Sequence, residues 1–193
     1  MILEGILTTV SDSGKINLTP MGPRFVEGDD HFELRPFETS TTYRNLVQNP
    51  CGVLHITDDI GLFVHSAINK LETLPPMENA ERVNGFVLKD CCRWFEFEVV
   101  ENEVEGPRKS FGCKILNSSQ GQREFYGFNR ARHAILEATI LATRVAILPR
   151  DEILDQFKPL ETIVNKTGGA AELELFKMLC EYVSKYPLVK EHS

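Results

Sequence analysis

The sequence lacks the features of a membrane protein and of a general nucleic-acid binder. No apolar run approaches the roughly 20 residues of a membrane-spanning helix, and the short apolar stretch at the start carries Glu4 and follows no basic segment. The 21 Lys and Arg residues against 28 Asp and Glu residues give a net charge of −7, so a general attraction to nucleic-acid phosphates is absent. We expect no signal peptide, no membrane and no nucleic-acid partner, while a few N–H groups and one Arg can still bind a small anion locally.

The cysteines lack the pattern of a disulfide framework or of a metal site. They are odd in number, have no C-x-x-C spacing, and mostly lie in apolar strand-like or helical contexts; they are Cys51, Cys91, Cys92, Cys113 and Cys180. We expect reduced thiols in a cytoplasmic protein. No His, Cys or Glu spacing suggests a metal ligand set, and no metal is predicted.

The chain alternates short β-rich runs with turn signals over its first two thirds, which predicts an antiparallel, closed or nearly closed barrel. One hairpin is expected to close at Asp12-Ser13-Gly14. The predicted strands are 2–10, 15–19, 31–37, 52–59, 61–68, 93–104, 111–117 and 123–128.

The last third has helical periodicity, and a short helix is also predicted over 41–50 with Thr41 or Thr42 as its N-cap. Residues 129–148 are apolar on more than one side, which predicts burial in a core or against a second subunit. Pro159 is expected to interrupt a helix that Asp151 caps, and Gly168-Gly169 to separate it from a final amphipathic helix over 170–186.

The segment 35–46, RPFETSTTYRNL, is the most informative for function. Hydroxyl groups, free N–H groups and the positive end of a helix dipole converge there, with Arg35 or Arg44 available for a charged contact. This arrangement predicts a phosphate site without a glycine-rich loop. The alternative is a Thr-rich helix cap and nothing more.

The segment 17–25, NLTPMGPRF, places Pro20, Gly22 and Pro23 where a strand enters a loop. Proline and glycine fix an unusual backbone path that can bring main-chain groups close to a flat ligand. The alternative is an ordinary connection between strands.

The order of these pieces resembles a known family. The succession TTVSDSGKINLTPMG, STTYRNL and GVLHITDD is similar to the flavin-reductase-like FMN-binding split barrels. More closely, the chain resembles the family of domain-of-unknown-function proteins number 447, through an N-x-T-P-M-G loop (17–22), T-Y-R-N-L (42–46), I-T-D-D (56–59) and F-N-R-A (128–131).

The resemblance implies an α+β fold: an antiparallel split β-barrel over residues 1–128, with a C-terminal helical segment over 129–193 packed on it as one compact domain. It also implies FMN bound at a homodimer interface, with residues 17–22 beside the isoalloxazine and residues 40–42 around the phosphate. The expected cofactor-binding residues are Asn17, Pro20, Met21, Gly22, Arg35, Phe37, Ser40, Thr41, Thr42, Asn45 and Arg130.

A bound flavin would itself supply the redox chemistry, so no catalytic side chain need exist. The first hypothesis is an FMN-dependent oxidoreductase that takes hydride from NADH or NADPH, which would bind transiently because no G-x-G-x-x-G is present. The alternatives are a non-catalytic flavin carrier or sensor, and a barrel that uses haem or a deazaflavin instead.

Three pairs of weaker candidates remain. His55 and His65 are expected in neighbouring strands, as hydrogen-bonded barrel histidines rather than metal or haem ligands. Asp58 and Asp59 are expected in a turn. Arg130 and Arg132 open a helix, which the helix dipole disfavours, and this hints at a ligand or subunit contact.

Overall fold

The structure is a computed structural model that describes residues 1–25, 30–105, 108–125 and 127–187. The chain forms two compact units. Unit 1 comprises residues 1–58 and 73–125, and unit 2 comprises residues 59–72 and 126–193. The predicted boundary at residue 128 remains a prediction, and here the segment 59–72 clusters with the C-terminal helices.

Unit 1 consists of strands and one helix. The helix α1 is Thr41–Gln48, and the strands are β1 (Gly5–Val10), β2 (Ile16–Met21), β3 (Arg24–Phe25), β4 (His31–Leu34), β5 (Cys51–Ile56), β6 (Met77–Asn79), β7 (Phe86–Leu88), β8 (Arg93–Glu105) and β9 (Arg108–Gln120). Seven strands form an antiparallel sheet in the order β2-β1-β5-β8-β9-β4-β3, and β6 pairs with β7.

The sheet curls until its far strand meets the start of the chain. Ile2 pairs with Arg24 beside β3, and the N–H of Phe25 donates to the Met1 carbonyl at 2.8 Å. The N–H of Leu3 donates to the Pro23 carbonyl at 3.3 Å. Residues 1–3 lead directly into β1, so these bonds close a barrel and leave β2 at the edge. The fold is the predicted α+β split barrel.

The barrel interior is apolar, and α1 contributes to it. Leu46 of α1 is 1% exposed and belongs to the core cluster. The other members come from the strands: Leu7, Phe32, Leu34, Leu54, Phe95, Phe97, Phe111 and Cys113. Every residue of β1 is buried, because one face of the strand packs on this core and the other approaches β7.

Two predicted strands are wrong. Residues 61–68 form the helix α2 (Ile60–Ala67), which belongs to unit 2. Asp59 caps it by accepting a hydrogen bond from the N–H of Leu62 at 3.0 Å, and the buried Ile60, Phe63 and Val64 have helical spacing. Residues 123–125 and 127–128 are not in a strand either, and Tyr126 lies outside the described residues.

Unit 2 also contains α3 (Arg130–Ala142), α4 (Arg150–Thr167) and α5 (Ala170–Lys185). The helix α3 packs against α2, α4 and α5, so helices of the same chain cover its several apolar faces. Its apolar pattern therefore needs no second subunit. Pro159 lies inside α4 and does not interrupt it, because buried Ile153, Phe157 and Val164 hold the helix on its neighbours despite the lost backbone bond.

None of the helices among the described residues is long and apolar enough to cross a membrane.

Candidate functional site

The helix α1 begins at the hydroxyl-rich segment, one residue earlier than expected for its cap. Ser40 is the N-cap, with extended backbone angles, and its Oγ accepts from the N–H of Tyr43 at 3.1 Å. A capped first turn still leaves the N–H groups of Thr41 and Thr42 without an acceptor inside the helix. These two groups and the helix dipole make this end of α1 favourable for an anion.

Arg44 adds a full positive charge at the same end. Its guanidinium donates to the Thr39 carbonyl at 3.0 Å and to Thr41 Oγ1 at 3.1 Å. Both contacts fold the side chain back over the first turn, although Arg44 is exposed. An arginine oriented in this way presents its charge beside the free N–H groups, as a phosphate site requires.

Beneath this turn lies a buried cluster of amides and hydroxyls, which we call the amide–hydroxyl cluster: Thr9, Asn17, Thr42 and Asn45. Asn17 donates from Nδ2 to Thr42 Oγ1 at 3.1 Å, and Asn45 donates to Thr9 Oγ1 at 3.0 Å. Thr9, Thr42 and Asn45 are at most 3% exposed. The cluster ties α1 to the hairpin of β1 and β2, so the start of α1 has a fixed position on the barrel.

Arg35 points to a carboxylate of the adjacent strand. Its Nε donates to Glu33 Oε1 at 2.8 Å, Arg24 lies 3.7 Å from Oε2 of the same carboxylate, and Ser110 also donates to it. Burial raises the pKa of Glu33, but the hydrogen bonds from Ser110 and Arg35 and the charges of Arg35 and Arg24 outweigh it, and the pKa is lowered. Glu33 is therefore ionised at neutral pH and orients Arg35.

Pro20 and Met21 belong to β2 and not to a loop. They face Ile6 and Gly5 of β1, and a proline is tolerated here because β2 is an edge strand. A Cβ on Gly22 would lie 2.9 Å from a carboxylate oxygen of Glu4. The part of Gly22 in binding stays a prediction.

The structure places most of the predicted binding residues in unit 1. Asn17, Thr42 and Asn45 meet in the amide–hydroxyl cluster, and Ser40 and Thr41 adjoin it on α1. Phe37 is 49% exposed in the segment before α1. Arg130 is the first residue of α3 in unit 2, and its part in binding stays a prediction.

Arg132 and His55 have structural partners, whereas the buried Nδ1 of His65 has no hydrogen-bond partner among the described residues. Arg132 donates to Glu172 Oε1 at 3.2 Å within unit 2. His55 is fully buried, its Nδ1 lies 3.0 Å from the Ile6 carbonyl, and its Nε2 accepts from the N–H of Leu88 at 3.0 Å. Both ring nitrogens are therefore occupied, which confirms a barrel histidine; burial lowers the pKa of His55 to about 4 although the bond to Ile6 opposes this. His65 lies on α2, not in a strand.

A buried carboxylate escaped the sequence analysis. Glu96 of β8 is fully buried and accepts from the backbone N–H groups of Glu81, Arg82 and Val83 at 2.6–3.2 Å, and from Asn117 Nδ2 at 3.1 Å. Alternation along β8 puts Glu96 on the face opposite Phe95 and Phe97, and no local sequence pattern indicates that residues 81–83 cover this carboxylate. We call this group the Glu96 network.

Among the residues that the structure describes, no group of three His, Cys, Asp or Glu side chains is arranged to hold a metal ion. The site therefore consists of N–H groups, hydroxyls, amides and arginines, which suit an anionic organic ligand.

Comparison with known proteins identifies the family. The model of the N-terminal domain of the protein family of unknown function DUF447 matches residues 3–122, and the model of the second DUF447 segment matches residues 129–181. An FMN-bound DUF447 protein from Methanosarcina mazei is similar at 27% identity over 94% of each chain, with a TM-score of 0.81.

More distant structures share the fold alone. Flavoredoxin from Methanosarcina acetivorans is 16% identical over 63% of this chain and 69% of its own, with a TM-score of 0.53. The styrene monooxygenase flavin reductase from Pseudomonas putida S12 is 14% identical over 62% and 80%, with a TM-score of 0.50. The two family matches cover most of the sequence, and the chain belongs to the DUF447 family.

Proposed function

We propose that this chain binds FMN, with the phosphate at the start of α1. The observation that carries the proposal is the first turn of α1, where Arg44 is folded over the N–H groups of Thr41 and Thr42. A dianionic phosphate gains from both the helix dipole and the guanidinium. The FMN-bound relative of the same family, similar over 94% of the chain, supports the choice of ligand.

The rest of the flavin would extend from this turn along β2. Asn17 begins the relevant part of β2, beside Thr42, and Pro20 to Gly22 lie at its other end. About four strand residues separate the two ends, a span of roughly 13 Å. The proposed ring position thus lies on β2 and the proposed phosphate position on α1, and Asn17, which joins α1 to β2, lies between them for the ribityl hydroxyls.

We further propose an oxidoreductase that transfers electrons between NADH or NADPH and an acceptor. Bound FMN supplies the hydride and electron chemistry. The residues of this chain orient the flavin through Thr42 and Arg44 and keep it fixed on the barrel through the amide–hydroxyl cluster. A side chain that donates or accepts protons is not required by this proposal.

The test of binding is the visible absorption of the purified protein and its titration with FMN after flavin removal. We expect Arg44→Gln to weaken FMN binding at least tenfold, since one charged hydrogen bond contributes roughly 1.5–3 kcal/mol. Riboflavin, which has no phosphate, should bind the variant and the parent equally. Equal FMN affinity in both proteins would contradict the phosphate position.

The test of reaction is anaerobic titration of the FMN-loaded protein with NADH and with NADPH. We expect the flavin absorption to bleach with at least one nucleotide and to return in air. Tight FMN binding without reduction by either nucleotide would favour the carrier or sensor hypothesis instead.

We also propose a homodimer formed through unit 1. Val47 of α1, Val100 of β8 and Leu116 of β9 are 53%, 46% and 38% exposed. Val100 and Leu116 both lie at register shifts of the β8–β9 pair, where a bulge turns an apolar side chain outward. Light scattering coupled to size exclusion should give twice the mass of 21.9 kDa, and a monomer that retains FMN would refute this.

Cytoplasmic location is a further proposal. All five cysteines, each within the described part of the chain, are unpaired. Burial raises the pKa of Cys91 to about 12, with the neighbouring Cys92 adding to the effect, so this thiol is unreactive. Unpaired thiols are typical of proteins from reducing compartments.

A further inference from the structure

A cleft of about 350 Å³ opens in unit 1 at the C-terminal end of α1. It lies between the turn that joins β1 to β2, the end of α1, and the start of β7. Its principal lining residues are Val10, Asp12, Gln48, Asn49, Asn84 and Phe86. Its volume lies at the lower end of the range found for small-molecule sites.

The walls of this cleft are held in place by hydrogen bonds beneath the lining. Asn49 Nδ2 donates to the Asn84 carbonyl at 3.3 Å, and Cys51 Sγ donates to Asn49 Oδ1 at 3.3 Å. The Glu96 network fixes the backbone of residues 81–83, directly before Asn84. The cleft is therefore formed before any ligand arrives, which lowers the entropic cost of binding.

The lining suits a nucleoside without its phosphate. Phe86 and the buried Val10 offer apolar surface to a flat ring. The carboxamides of Gln48 and Asn84 carry both donors and acceptors, the combination that pairs with the edge of adenine. Asp12 can accept hydrogen bonds from ribose hydroxyls, as acidic residues do in dinucleotide sites. No Lys or Arg is among the described lining residues, and Asp12 disfavours an anion in the cleft.

The position of the cleft relative to the start of α1 is the second observation. The helix has eight residues and therefore spans about 12 Å between its two ends. Thr41, Arg44 and Gln48 are exposed and have the spacing of one helix face. A polar strip thus leads from the anion-favouring end, where Arg44 is folded back, to a cleft whose charged lining residue is the carboxylate of Asp12.

We propose that this cleft binds the adenosine part of a dinucleotide whose pyrophosphate lies along this strip toward Arg44. The placement of the pyrophosphate rests on the proposed function, while adenosine binding in the cleft does not. Two kinds of dinucleotide contain an adenosine and a pyrophosphate of this kind: FAD, and the nicotinamide cofactors NADH and NADPH. A flavin that enters as FAD would share its first phosphate with the FMN position, whereas a nicotinamide cofactor would reach the flavin from the cleft.

The first measurement is equilibrium dialysis of the flavin-free full-length chain with ADP. We expect ADP to bind, and the double variant Asp12→Ala/Gln48→Ala to bind it at least tenfold more weakly. The matched control is Asp155→Ala/Gln156→Ala, an adjacent exposed Asp and Gln on α4. No ADP binding at millimolar concentration, or an equal loss in the control, would overturn the proposal.

The second measurement distinguishes FAD from the nicotinamide cofactor as the ligand of the cleft, and it distinguishes failure of the cleft proposal from failure of the flavin proposal. If FAD is the source, the flavin-free parent binds FAD more tightly than FMN, and the Asp12→Ala/Gln48→Ala variant loses this preference. If the nicotinamide cofactor is the source, the KM ratio of reduced nicotinamide mononucleotide to NADH falls in the variant instead. Unchanged ratios in both experiments overturn the cleft, whereas absence of FMN binding with intact ADP binding overturns only the flavin proposal.

Discussion

The two buried polar networks of unit 1 differ in charge and in the part of the molecule that they hold. The Glu96 network is built around one carboxylate and fixes the backbone of residues 81–83. The amide–hydroxyl cluster is neutral and joins α1 to the β1–β2 hairpin through single hydrogen bonds. A carboxylate can organise several N–H groups at once, whereas each hydroxyl of the cluster serves one or two partners.

This difference separates stability from binding. Glu96 lies near the start of β8, and its network supports residues 81–83 directly before Asn84, so its loss should affect folding first. The amide–hydroxyl cluster lies directly under the proposed phosphate position, so a small change there should reach the ligand. Predictions at Glu96 and at the two threonines test this contrast, and a prediction at His55 adds a buried neutral ring outside both networks.

The largest effect is expected for Glu96→Ala. Removal of the carboxylate leaves the N–H groups of residues 81–83 without their acceptor and Asn117 with only its bond to Glu81, and hydrogen bonds to a charged group each contribute about 1.5–3 kcal/mol, though not additively. We expect the free energy of unfolding to fall by about 3–5 kcal/mol in urea denaturation.

The control for this variant is Glu98→Ala, an exposed glutamate two residues further along β8. Its effect should stay within about 0.5 kcal/mol. Glu96→Gln should lie between the two, because an amide oxygen keeps an acceptor but loses the charge. A loss below 1 kcal/mol for Glu96→Ala would show that water replaces the carboxylate and that the contrast of the two networks is wrong.

The second-largest effect is expected for His55, whose ring is neutral because its buried surroundings disfavour a charge. Its folded pKa of about 4 lies below the unfolded value of 6.5 because burial disfavours the charged ring. Between pH 4 and pH 6.5 the unfolded chain therefore binds more protons at His55 than the folded chain does. The stability that the neutral His55 contributes is complete above pH 6.5 and is lost as the pH falls toward 4. The shift corresponds to roughly 3 kcal/mol.

Urea denaturation at several pH values measures how the free energy of unfolding depends on pH. The His55→Gln variant should be less stable than the parent at pH 7, because the substitution disturbs the packing around a buried ring. Its free energy of unfolding should, however, lack the fall between pH 6.5 and 4 that His55 causes in the parent. Glu33 adds a separate loss at lower pH: its folded pKa is lowered below 4.5 by its arginine and serine partners, so its contribution disappears only as the pH falls below that value. An equal slope in the His55 variant and the parent would contradict the assignment.

The architecture was largely readable from the sequence, and the site only in part. Strand alternation and turn residues located the β1–β2 hairpin and β8, and the hydroxyl-rich segment located α1. The helix α2 was predicted as a strand because the segment 61–68 is short, apolar and partly composed of β-branched residues. Periodicity cannot distinguish such a segment from a buried strand. The capping role of Asp59 is the signal that distinguishes them.

The roles within the site depend on contacts between distant segments. Thr41 and Thr42 look alike in the sequence, yet one is exposed beside Arg44 and the other is buried against Asn17. Glu96 has the same appearance as its exposed neighbour Glu98, and only the loop that folds over it makes it structural. Such pairings arise when remote residues meet, and local patterns carry no information about them.

The smallest effect is expected at these two threonines, where the same substitution at adjacent positions tests the two roles. Thr42→Val removes the shorter of the two hydrogen bonds of the half-buried Asn17 amide, which should cost about 1 kcal/mol in unfolding free energy. Thr41→Val removes only an exposed contact to Arg44, so its unfolding free energy should change by less than about 0.5 kcal/mol. Because Arg44 loses one of the two hydrogen bonds that hold its side chain, however, Thr41→Val should still weaken FMN binding several-fold, whereas riboflavin binding should not change.

Urea denaturation and flavin titration of both variants measure the unfolding free energy and the flavin affinity of each. If Thr41→Val were the less stable protein, or if both variants lost FMN and riboflavin affinity alike, the division between a stabilising cluster and a charge-bearing surface turn would be wrong.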